Sequence, residues 1–577
     1  MDAKTYPEFS THYPLLLTTF MKRPVSLYPN EIGVVNRNPD TGQYQRFTWG
    51  EWYDRTCRLA NALKNVLDVK PGKGFEAGDR VGTLAQNTHR HLELYYAAPC
   101  MGAVLHPIVP RLSLDHIVHS VEHAGDKVLF VDDIILPLVE MVYERIKPTV
   151  KAFVYMSDGG TLPETKIEPL YDYEELLKGQ SPDIEWPYLD EDTYATLMYT
   201  TATTGLPKGV MFTHRQLYLQ ALHVMSAATW AADPSQPNLG DAAVPMLNTP
   251  FCHANGWAMP HVYVFGACKV VLPGRFTPDG FCDIVDTEKV TMTTLVPTML
   301  AMLIEFEDLK KYDLTSLQMV GVGGAALALG LKRKAEELIP GFSATSGYGM
   351  TETAPFVVAA FTKRYMRSWP KEELDKVRVK TGLSIAGLEV DVFDDEGKPV
   401  PRDNETIGEI VVRGPWIMEQ YYHDPEKTAL VWREDGWFHT GDVAKIDDEG
   451  YITIVDRITD VIRSGAEMVP TVLLENLTAT ADGVLEATYV GVPDPKWGER
   501  PLAIVKLAPG MAQTEDDIYA FLQSEGVDKG KLTKWMLPDF IAIIDEIPKT
   551  SVGKYDKITI KKGIEEYLSK AKRVGQG

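Results

Sequence analysis

The sequence has few cysteines and lacks any long apolar run in its 577 residues. Its five cysteines lie far apart, without a C-x-x-C pair or a disulfide-dense pattern, which suits a reducing compartment. No apolar run approaches the about 18 residues of a membrane-spanning helix, and the first residues lack the charged and apolar stretches of a secretory signal. These absences predict a cytoplasmic protein without a transmembrane segment, while peripheral contact with lipid stays open.

Positive charge is also scarce. Lysine and arginine total 58 against 80 aspartate and glutamate residues, so the net charge is −22. A negative charge of this size repels nucleic-acid backbones and anionic lipid headgroups, which disfavours nucleic acid as a partner. An anionic ligand such as a nucleotide would therefore need a local device, a glycine-rich loop or a bound metal, to offset the surrounding field.

Apolar residues are plentiful, at 45%, and the chain is too long for one hydrophobic core. Between about residues 47 and 341, amphipathic stretches alternate with short β-branched runs. Examples of the former are 49–63 and 331–338, and of the latter 127–131 and 269–272. This alternation predicts a large α/β domain in which mixed, largely parallel sheets are layered with helices.

Beyond residue 381 the pattern changes to short strands broken by turn signals. The predicted strands cover residues 389–393, 408–413 and 451–455. They predict an antiparallel, distorted barrel-like section that completes an N-terminal domain of residues 1–456. The charged segment 457–460 is the predicted hinge, and residues 461–577 are predicted to form a small, mobile α+β domain.

The strongest local signal is the segment from Tyr199 to Gly209, where threonines and glycines follow a short apolar strand. Backbone N–H groups in such a loop can surround phosphate oxygens, and Lys208 adds a positive charge. The G-x-x-x-x-G-K-[ST] spacing is absent, which disfavours a P-loop NTPase. Standing alone, the segment is also consistent with a surface turn rich in threonine and glycine.

Seven further segments carry motifs of a known family, and they occur in the family's order along the chain. They are 101–106, 110–113, 348–353, 437–442, 456–457, 492–497 and 548–554. Together with the threonine-rich loop they resemble, over nearly the whole chain, the AMP-forming acyl-CoA synthetases, and most closely the fatty acyl-CoA synthetase branch. The resemblance implies a C-terminal domain that acts as a lid, and ATP, Mg²⁺ and coenzyme A as cofactor and substrates.

The resemblance also implies a nucleotide site. Tyr348 would lie against adenine, Thr351 would meet the α-phosphate, and Glu352 would hold Mg²⁺, a hard cation that prefers oxygen. Asp442 would accept ribose hydroxyls, and Arg457 would donate to ribose or phosphate oxygens. The predicted nucleotide-binding residues are Thr200, Thr201, Thr203, Thr204, Gly205, Lys208, Gly324, Ala325, Tyr348, Gly349, Thr351, Asp442, Arg457 and Lys554. The predicted metal ligands are Glu352 and Thr204. Taken singly, most of these residues are equally consistent with structural roles.

Lys554 matters most for the first reaction step. Its ammonium would bridge the incoming carboxylate and the α-phosphate, which otherwise repel each other. His253 would orient the carboxylate, unless it is an ordinary core histidine. The predicted catalytic residues are Lys554, His253, Thr351 and Glu352. Trp257 would wall an acyl tunnel together with His253 and Gly324, with a core-packing tryptophan as the rival interpretation.

The implied reaction has two steps. The carboxylate attacks the α-phosphorus of MgATP and pyrophosphate leaves; the small domain then rotates about Thr459 and the thiol of coenzyme A accepts the acyl group. The predicted CoA-facing residues are Ser464, Gly465, Ala466 and Glu467. The sequence departs from the family pattern at Ala202, Thr459, Ala466 and Pro470, which puts in question phosphate binding, hinge behaviour and transfer to coenzyme A.

The favoured function is ligation of a medium- or long-chain fatty acid to coenzyme A. The alternatives are a ligase for an aryl or other carboxylate, an adenylate-forming enzyme with a different acceptor, and a catalytically dead sensor of nucleotide or lipid. The expected partners are a small-molecule carboxylic acid, ATP and coenzyme A. The resemblance also raises homodimer formation as an expectation.

Overall fold

The computed structural model describes residues 13–74, 77–159, 161–200, 206–231, 242–465, 467–549 and 555–575. Contacts between Cα atoms divide the chain into two compact units. The described residues of the first unit fall within 13–200, 206–390 and 412–430, and those of the second within 391–411 and 431–575. The predicted hinge at 457–460 lies inside the second unit, and its role as a hinge stays a prediction.

Helices and strands alternate in the first part of the chain, as the sequence pattern predicts. The strands are β1 (Ile32–Arg37), β2 (Tyr44–Thr48), β3 (Arg80–Leu84), β4 (Val104–Pro107), β5 (Asp126–Asp132), β6 (Ala152–Met156), β7 (Leu170–Asp172), β8 (Tyr194–Tyr199) and β9 (Gly209–Thr213). The helices are α1 (Thr18–Leu27), α2 (Trp49–Asn65), α3 (His89–Cys100), α4 (Leu114–Ala124), α5 (Leu136–Ile146), α6 (Tyr173–Lys178) and α7 (His214–Ala231). Helix α2 begins at a capping box, in which the side chains of Thr48 and Glu51 each accept from the other's backbone N–H.

Strands of this part form a sheet in the order β7-β6-β5-β3-β4-β8-β9. The pairings are parallel except for the antiparallel pair of β8 and β9. Apolar side chains of α4 and α5 pack against β5 and β6, for example Ile117 and Val139 in one cluster with Val131 and Phe153. Burial of this kind explains the short β-branched runs in the sequence.

The next part of the first unit adds a second, larger layer. Its strands are β10 (Pro245–Met246), β11 (Val270–Leu272), β12 (Met292–Leu295), β13 (Met319–Val322), β14 (Ser343–Gly349), β15 (Phe356–Ala359) and β16 (Leu383–Ser384). Its helices are α9 (Met259–Phe265), α10 (Pro278–Glu288), α11 (Pro297–Ile304), α12 (Leu329–Leu338) and α13 (Lys371–Arg378), and the short element α8 (Ala254–Trp257) is a left-handed turn. The sheet order is β16-β15-β14-β13-β12-β10-β11-β1-β2, parallel in the middle and antiparallel at both ends.

The section beyond residue 381 contains the predicted short strands. They are β17 (Glu389–Phe393), β18 (Gly408–Arg413), β19 (Phe438–Ile446) and β20 (Ile452–Arg457), and helix α14 (Pro425–Val431) lies between β18 and β19. The strand order is β17-β18-β19-β20, and β19 pairs with β20 antiparallel. The predicted strands 389–393 and 408–413 coincide with β17 and β18.

The C-terminal part of the second unit mixes helices with a largely antiparallel sheet. Its strands are β21 (Ile462–Ser464), β22 (Glu467–Val469), β23 (Val484–Asp494), β24 (Gly498–Leu507), β25 (Phe540–Ile543) and β26 (Lys572–Arg573), and its helices are α15 (Thr471–Thr478), α16 (Glu515–Phe521), α17 (Lys557–Lys562) and α18 (Ile564–Lys570). The order is β22-β21-β24-β25-β26, with β23 also paired to β24. Among the described residues, no helix combines the length and apolar character that crossing a bilayer requires.

Candidate active site

The threonine-rich loop begins and ends at neighbouring positions of a β-hairpin. Tyr199, the last residue of β8, is opposite Gly209, the first residue of β9. The next pair closes the loop: the Thr200 N–H donates to the Lys208 carbonyl over 2.9 Å, and the Lys208 N–H donates to Oγ1 of Thr200 over 3.2 Å. The predicted ligands Thr201, Thr203, Thr204 and Gly205, and the departure at Ala202, lie outside the described residues.

A tyrosine links Lys208 to the carboxylate predicted to bind Mg²⁺. Nζ of Lys208 donates to the Tyr421 hydroxyl over 2.8 Å, and that hydroxyl donates to Oε1 of Glu352 over 2.7 Å. Glu352 and Tyr421 are only 5% and 2% exposed. Burial, reinforced by the Glu352 carboxylate, raises the pKa of Tyr421 well above its ordinary value, so the phenol stays protonated as a donor. Tyr421 is not among the residues predicted from the sequence, because no local pattern marks it.

Glu352 is held in a tight turn between β14 and β15. The turn is closed by the Met350 N–H, which donates to the Pro355 carbonyl over 3.0 Å. A Cβ placed on Gly349 would stand 1.7 Å from the same carbonyl oxygen, so the backbone approaches too closely for any side chain. The Met418 N–H donates to the Glu352 carbonyl over 2.9 Å and attaches the turn to the segment that precedes Tyr421.

Two further predicted nucleotide contacts flank the buried Glu352. Tyr348, in β14, is half-buried, and its hydroxyl contacts Sδ of Met350 at 3.8 Å. Thr351 begins a single 3₁₀ turn, Thr351–Thr353, and is also half-buried. Both residues therefore retain exposed surface beside the carboxylate, which is compatible with the predicted adenine and α-phosphate contacts. Those contacts stay predictions.

A left-handed turn separates His253 from Trp257. Residues 254–258 all have positive φ, between 43° and 59°. This conformation costs a non-glycine residue about 1–2 kcal/mol, and such strain is typical of functional sites. The buried Asn255 anchors the turn, because its Nδ2 donates to Oγ1 of Thr196 in β8 over 3.3 Å. His253 and Trp257 stand half-buried at the two ends.

The indole ring of Trp257 packs on the glycine pair that follows β13. A Cβ on Gly323 would lie 2.9 Å from the ring, and one on Gly324 would lie 3.8 Å from it. The ring also contacts Phe356 edge to face, with centroids 6.4 Å apart. Gly324 and Ala325 are exposed. The structure thus brings two predicted acyl-site residues, Trp257 and Gly324, together, and the missing side chain of Gly323 makes room for the indole.

In the second unit, Asp442 and Arg457 face each other across β19 and β20. Nε of Arg457 lies 3.2 Å from Oδ1 of Asp442. The aspartate side chain is 7% exposed and the arginine side chain 50%. The register of an antiparallel pair places these residues side by side, although they are separated by a turn in the sequence. Their predicted roles toward ribose and phosphate stay predictions.

The segment at the predicted hinge is tied to the two helices α15 and α17 of the same unit. Oδ2 of Asp456 accepts from the backbone N–H and the hydroxyl of Thr471 at 2.5 and 2.6 Å, and Thr471 also accepts from Lys557. Burial raises the pKa of Asp456, although Lys557 opposes the shift. Lys561 Nζ donates to the Thr459 carbonyl over 2.9 Å. The predicted catalytic residue Lys554, shortly before α17, lies outside the described residues.

Hydrogen bonds from a tryptophan and an arginine hold the predicted CoA-facing segment, residues 464–467, at Ser464. Oγ of Ser464 accepts from Arg500 over 3.0 Å, and its carbonyl accepts from Nε1 of Trp535 over 3.2 Å. The Gly465 N–H donates to the Trp497 carbonyl over 2.6 Å, with φ at 66°. Ala466 lies outside the described residues, as does the side chain of Glu467; Pro470 directly precedes α15.

The oxygen ligands of this site fit Mg²⁺ that is bound together with phosphates. Within the described part of the chain, no group of three or more His, Cys, Asp and Glu residues is arranged to hold a metal ion. Mg²⁺ does not need such a group, because it usually keeps several waters and is bound by one or two carboxylates and substrate phosphates. Glu352 supplies one buried carboxylate whose position is fixed by Tyr421.

The sequence matches two protein-family models and is similar to proteins of known function. A family model described as AMP-binding enzyme matches residues 21–422, and one described as AMP-binding enzyme C-terminal domain matches residues 473–554. A long-chain-fatty-acid–CoA ligase of Thermus thermophilus is 38% identical over 567 residues, covering 98% of both chains. A 3-methylmercaptopropionyl-CoA ligase of Ruegeria lacuscaerulensis is 34% identical over 557 residues, covering 96% of this chain and 98% of that protein.

A structural comparison supports the fold assignment. The anthranilate CoA ligase AuaEII, solved in complex with anthranoyl-AMP, matches with a TM-score of 0.78 at 21% identity, covering 98% of this chain and 99% of that one. At this identity the likeness shows the fold alone. The predicted class, a large N-terminal α/β part with a small C-terminal α+β part, is confirmed.

Proposed function

Because the chain belongs to the AMP-binding enzyme family, we propose that it ligates a medium- or long-chain fatty acid to coenzyme A through an acyl-adenylate. It is an AMP-forming acyl-CoA synthetase, so ATP and coenzyme A are its co-substrates. One observation carries the assignment of the nucleotide site: Lys208, at the end of the phosphate loop, is joined through Tyr421 to the buried carboxylate of Glu352. A cation and a hard-oxygen ligand at this spacing suit the phosphates of MgATP.

In the first step, the fatty-acid carboxylate attacks the α-phosphorus of ATP in line, the bond to the bridging oxygen breaks, and pyrophosphate leaves. The 200–208 loop and Lys208 bind phosphate oxygens, and Thr351 donates to the α-phosphate. Glu352 and Thr204 would hold Mg²⁺, which would supply positive charge to offset that of the phosphates. Lys554 supplies its ammonium between the two anionic reactants.

In the second step, the thiol sulfur of coenzyme A attacks the acyl carbon, the bond to the phosphate oxygen breaks, and AMP leaves. The backbone of Ser464 and Gly465 borders the thiol path, with Arg500 and Trp535 fixing its position. Arg500 is itself held by Asp539 at 2.7 Å. Movement about Thr459 exchanges the Lys554 loop for this face.

Acyl selectivity is assigned to the left-handed turn and the glycine pair. Trp257, packed on Gly323 and Gly324, forms an apolar wall, and His253 at the other end of the turn orients the carboxylate. The near-full-length identity to a long-chain-fatty-acid–CoA ligase supports a fatty acid as the substrate. The identity to a ligase for a short thioether acid leaves chain length as the property to be measured.

Location and assembly belong to the same proposal. All five cysteines lie among the described residues and none forms a disulfide, which suits a reducing cytoplasm. We further propose a homodimer, with lipid contact limited to the membrane surface. Cell fractionation tests the location, and light scattering of the purified protein tests the homodimer. A monomer at all concentrations contradicts the homodimer.

An acid panel tests the substrate assignment. The full-length protein is incubated with ATP, Mg²⁺, coenzyme A and one of a series of saturated fatty acids, benzoate or 3-methylmercaptopropionate. Pyrophosphate and acyl-CoA are measured separately. We expect both products in equal amounts, with kcat/KM highest for a medium- or long-chain acid.

Each other outcome points to a named alternative. Highest kcat/KM for benzoate would assign an aryl–CoA ligase, and highest kcat/KM for 3-methylmercaptopropionate would assign a ligase for another carboxylate. Pyrophosphate without acyl-CoA would assign a different acceptor, in line with the departures at Ala466 and Pro470. Nucleotide binding without pyrophosphate release for any acid would leave a sensor.

A further inference from the structure

Two opposite charges of the nucleotide site contact one phenol oxygen. Nζ of Lys208 donates to the Tyr421 hydroxyl over 2.8 Å, and that hydroxyl donates to Oε1 of Glu352 over 2.7 Å. An ammonium and a carboxylate this near to each other attract strongly where water is excluded. If they formed a direct ion pair, each charge would be neutralised by the other before a ligand arrived.

We propose that Tyr421 is a positioning residue, a spacer that holds Lys208 and Glu352 apart so that Lys208 stays available to phosphate and Glu352 to Mg²⁺. This inference rests on the proposed nucleotide site. It adds a residue to that site, because the phenol accepts from the ammonium and donates to the carboxylate in one directed chain. Tyr421 itself is proposed to touch neither phosphate nor metal and to act only through its two partners.

The position of the phenol is fixed by backbone contacts on both sides. The Tyr421 N–H donates to Oγ1 of Thr428 over 3.0 Å, and Tyr421 forms an isolated antiparallel bridge with Val210 of β9. The neighbouring Tyr422 N–H donates to the Gly209 carbonyl over 2.8 Å. The tyrosine is thus attached to the same strand that carries the end of the phosphate loop, so phenol and Lys208 keep their spacing.

A spacer differs from a purely structural tyrosine in what its loss affects. Without the hydroxyl, Lys208 and Glu352 are expected to pair directly, and MgATP must then break that pair before binding. AMP lacks the β- and γ-phosphates and needs no Mg²⁺, so its binding should change far less. A structural defect would weaken both nucleotides alike.

The test compares wild type, Tyr421→Phe and the control Tyr312→Phe. Tyr312 also donates its hydroxyl to a carboxylate, that of Asp279 at 2.7 Å, but on the exposed surface. Isothermal calorimetry measures the Kd of MgATP, the Kd of AMP in EDTA, and the Mg²⁺ concentration for half-maximal ATP binding. In Tyr421→Phe we expect MgATP to bind about tenfold more weakly and the Mg²⁺ requirement to rise, with AMP affinity changed less than about twofold. Tyr312→Phe should match wild type.

A second variant identifies the cause. Lys208→Met in the Tyr421→Phe background removes the competing ammonium, so the Mg²⁺ requirement should return toward that of wild type even though ATP binding stays weak. A Mg²⁺ requirement that remains raised, or equal loss of MgATP and AMP affinity in Tyr421→Phe, overturns the spacer role. Because the ratio of the two affinities is compared, a general loss of stability does not mimic the expected result.

The proposed function is checked in the same preparation. Wild type that binds MgATP but releases no pyrophosphate with any fatty acid contradicts the catalytic proposal, and the calorimetric comparison still decides the role of Tyr421. Wild type that turns over normally, beside an unchanged Tyr421→Phe, contradicts only the spacer.

Discussion

Charged site residues are held differently in the two units. In the first unit, Glu352 is 5% exposed and receives a hydrogen bond from a buried tyrosine. In the second unit, the side chain of Arg457 is 50% exposed and pairs with Asp442 across two strands. A buried hydrogen-bonded charge is fixed before the ligand arrives, whereas an exposed arginine keeps rotamer freedom and is screened by solvent. Within the first unit, the carboxylate proposed to bind Mg²⁺ is therefore fixed in the absence of a ligand, whereas within the second unit Arg457 keeps conformational freedom.

The largest effect is expected from removing the ammonium of Lys554, the residue of the second unit that is proposed to contact the reacting atoms. We expect Lys554→Ala to slow adenylation by on the order of 10²–10³-fold, because the two anionic reactants lose the cation between them. Pyrophosphate release with fatty acid, ATP and Mg²⁺ measures this step, and acyl-CoA formation from supplied acyl-adenylate measures the other, which should stay nearly unchanged.

Lys549→Ala is the matched control for Lys554→Ala, because Lys549 belongs to the same segment but forms a surface ion pair with Glu486 at 2.6 Å. It should adenylate like wild type. Equal slowing of both steps in Lys554→Ala would show that the lysine serves folding or domain closure. It would then have no specific role at the reacting atoms.

A smaller but clear effect is expected from the backbone of the first unit. In Gly349→Ala the new Cβ would meet the Pro355 carbonyl, so the turn that holds Glu352 must shift. Overpacking of this kind costs about 1–3 kcal/mol. We expect a lower melting temperature and about tenfold weaker MgATP binding, measured by thermal denaturation and calorimetry.

Gly347→Ala provides the comparison within the same strand, since its Cβ would lie at an ordinary 3.5 Å from the Val358 carbonyl oxygen. It should bind MgATP like wild type. Equal affinity of the Gly349 and Gly347 variants would mean that the turn adapts, and the first unit would then be less preformed than its contacts indicate.

The smallest effect is expected at the exposed end of the comparison. Arg457→Gln removes a half-exposed guanidinium, and ion pairs of this exposure contribute about 0–1 kcal/mol. We expect the KM for ATP to rise by about two- to fivefold with little change in melting temperature. Arg413→Gln, which breaks an exposed ion pair with Glu389 at 2.6 Å, serves as the control. A hundredfold rise in KM would mean that Arg457 is fixed in position for the nucleotide, as Glu352 is, despite its exposure.

Much of the fold could be predicted from the sequence because its signals are local. The amphipathic stretch 49–63 lies within α2, the β-branched run 127–131 lies within β5, and the strand patterns 389–393 and 408–413 coincide with β17 and β18. Periodicity and turn residues decide such elements within a few positions. The division of the chain into compact units depends on packing between distant segments, so residues 391–411 group with the C-terminal part although they precede the predicted hinge.

Candidate ligands could likewise be predicted where one short segment carries the chemistry, as with Lys208 in its loop and Glu352 in its turn. Contacts between distant segments could not be predicted. The Tyr421 hydroxyl donates to a residue 69 positions away and accepts from one 213 positions away. Trp257 packs on Gly323 although these residues belong to different strand connections. Neither contact leaves a pattern in the sequence near either partner.

By itself, the sequence determined the family, and it predicted the phosphate-binding role of the threonine-rich loop and the residues proposed to carry charge to the reacting atoms. The tertiary structure alone decided how those charges are kept apart, which glycine makes room for the indole, and which arginine is opposite Asp442. The reason is physical: a side chain's chemical groups are fixed by its identity, whereas hydrogen-bond partners and burial depend on sheet register and packing between segments far apart in the chain.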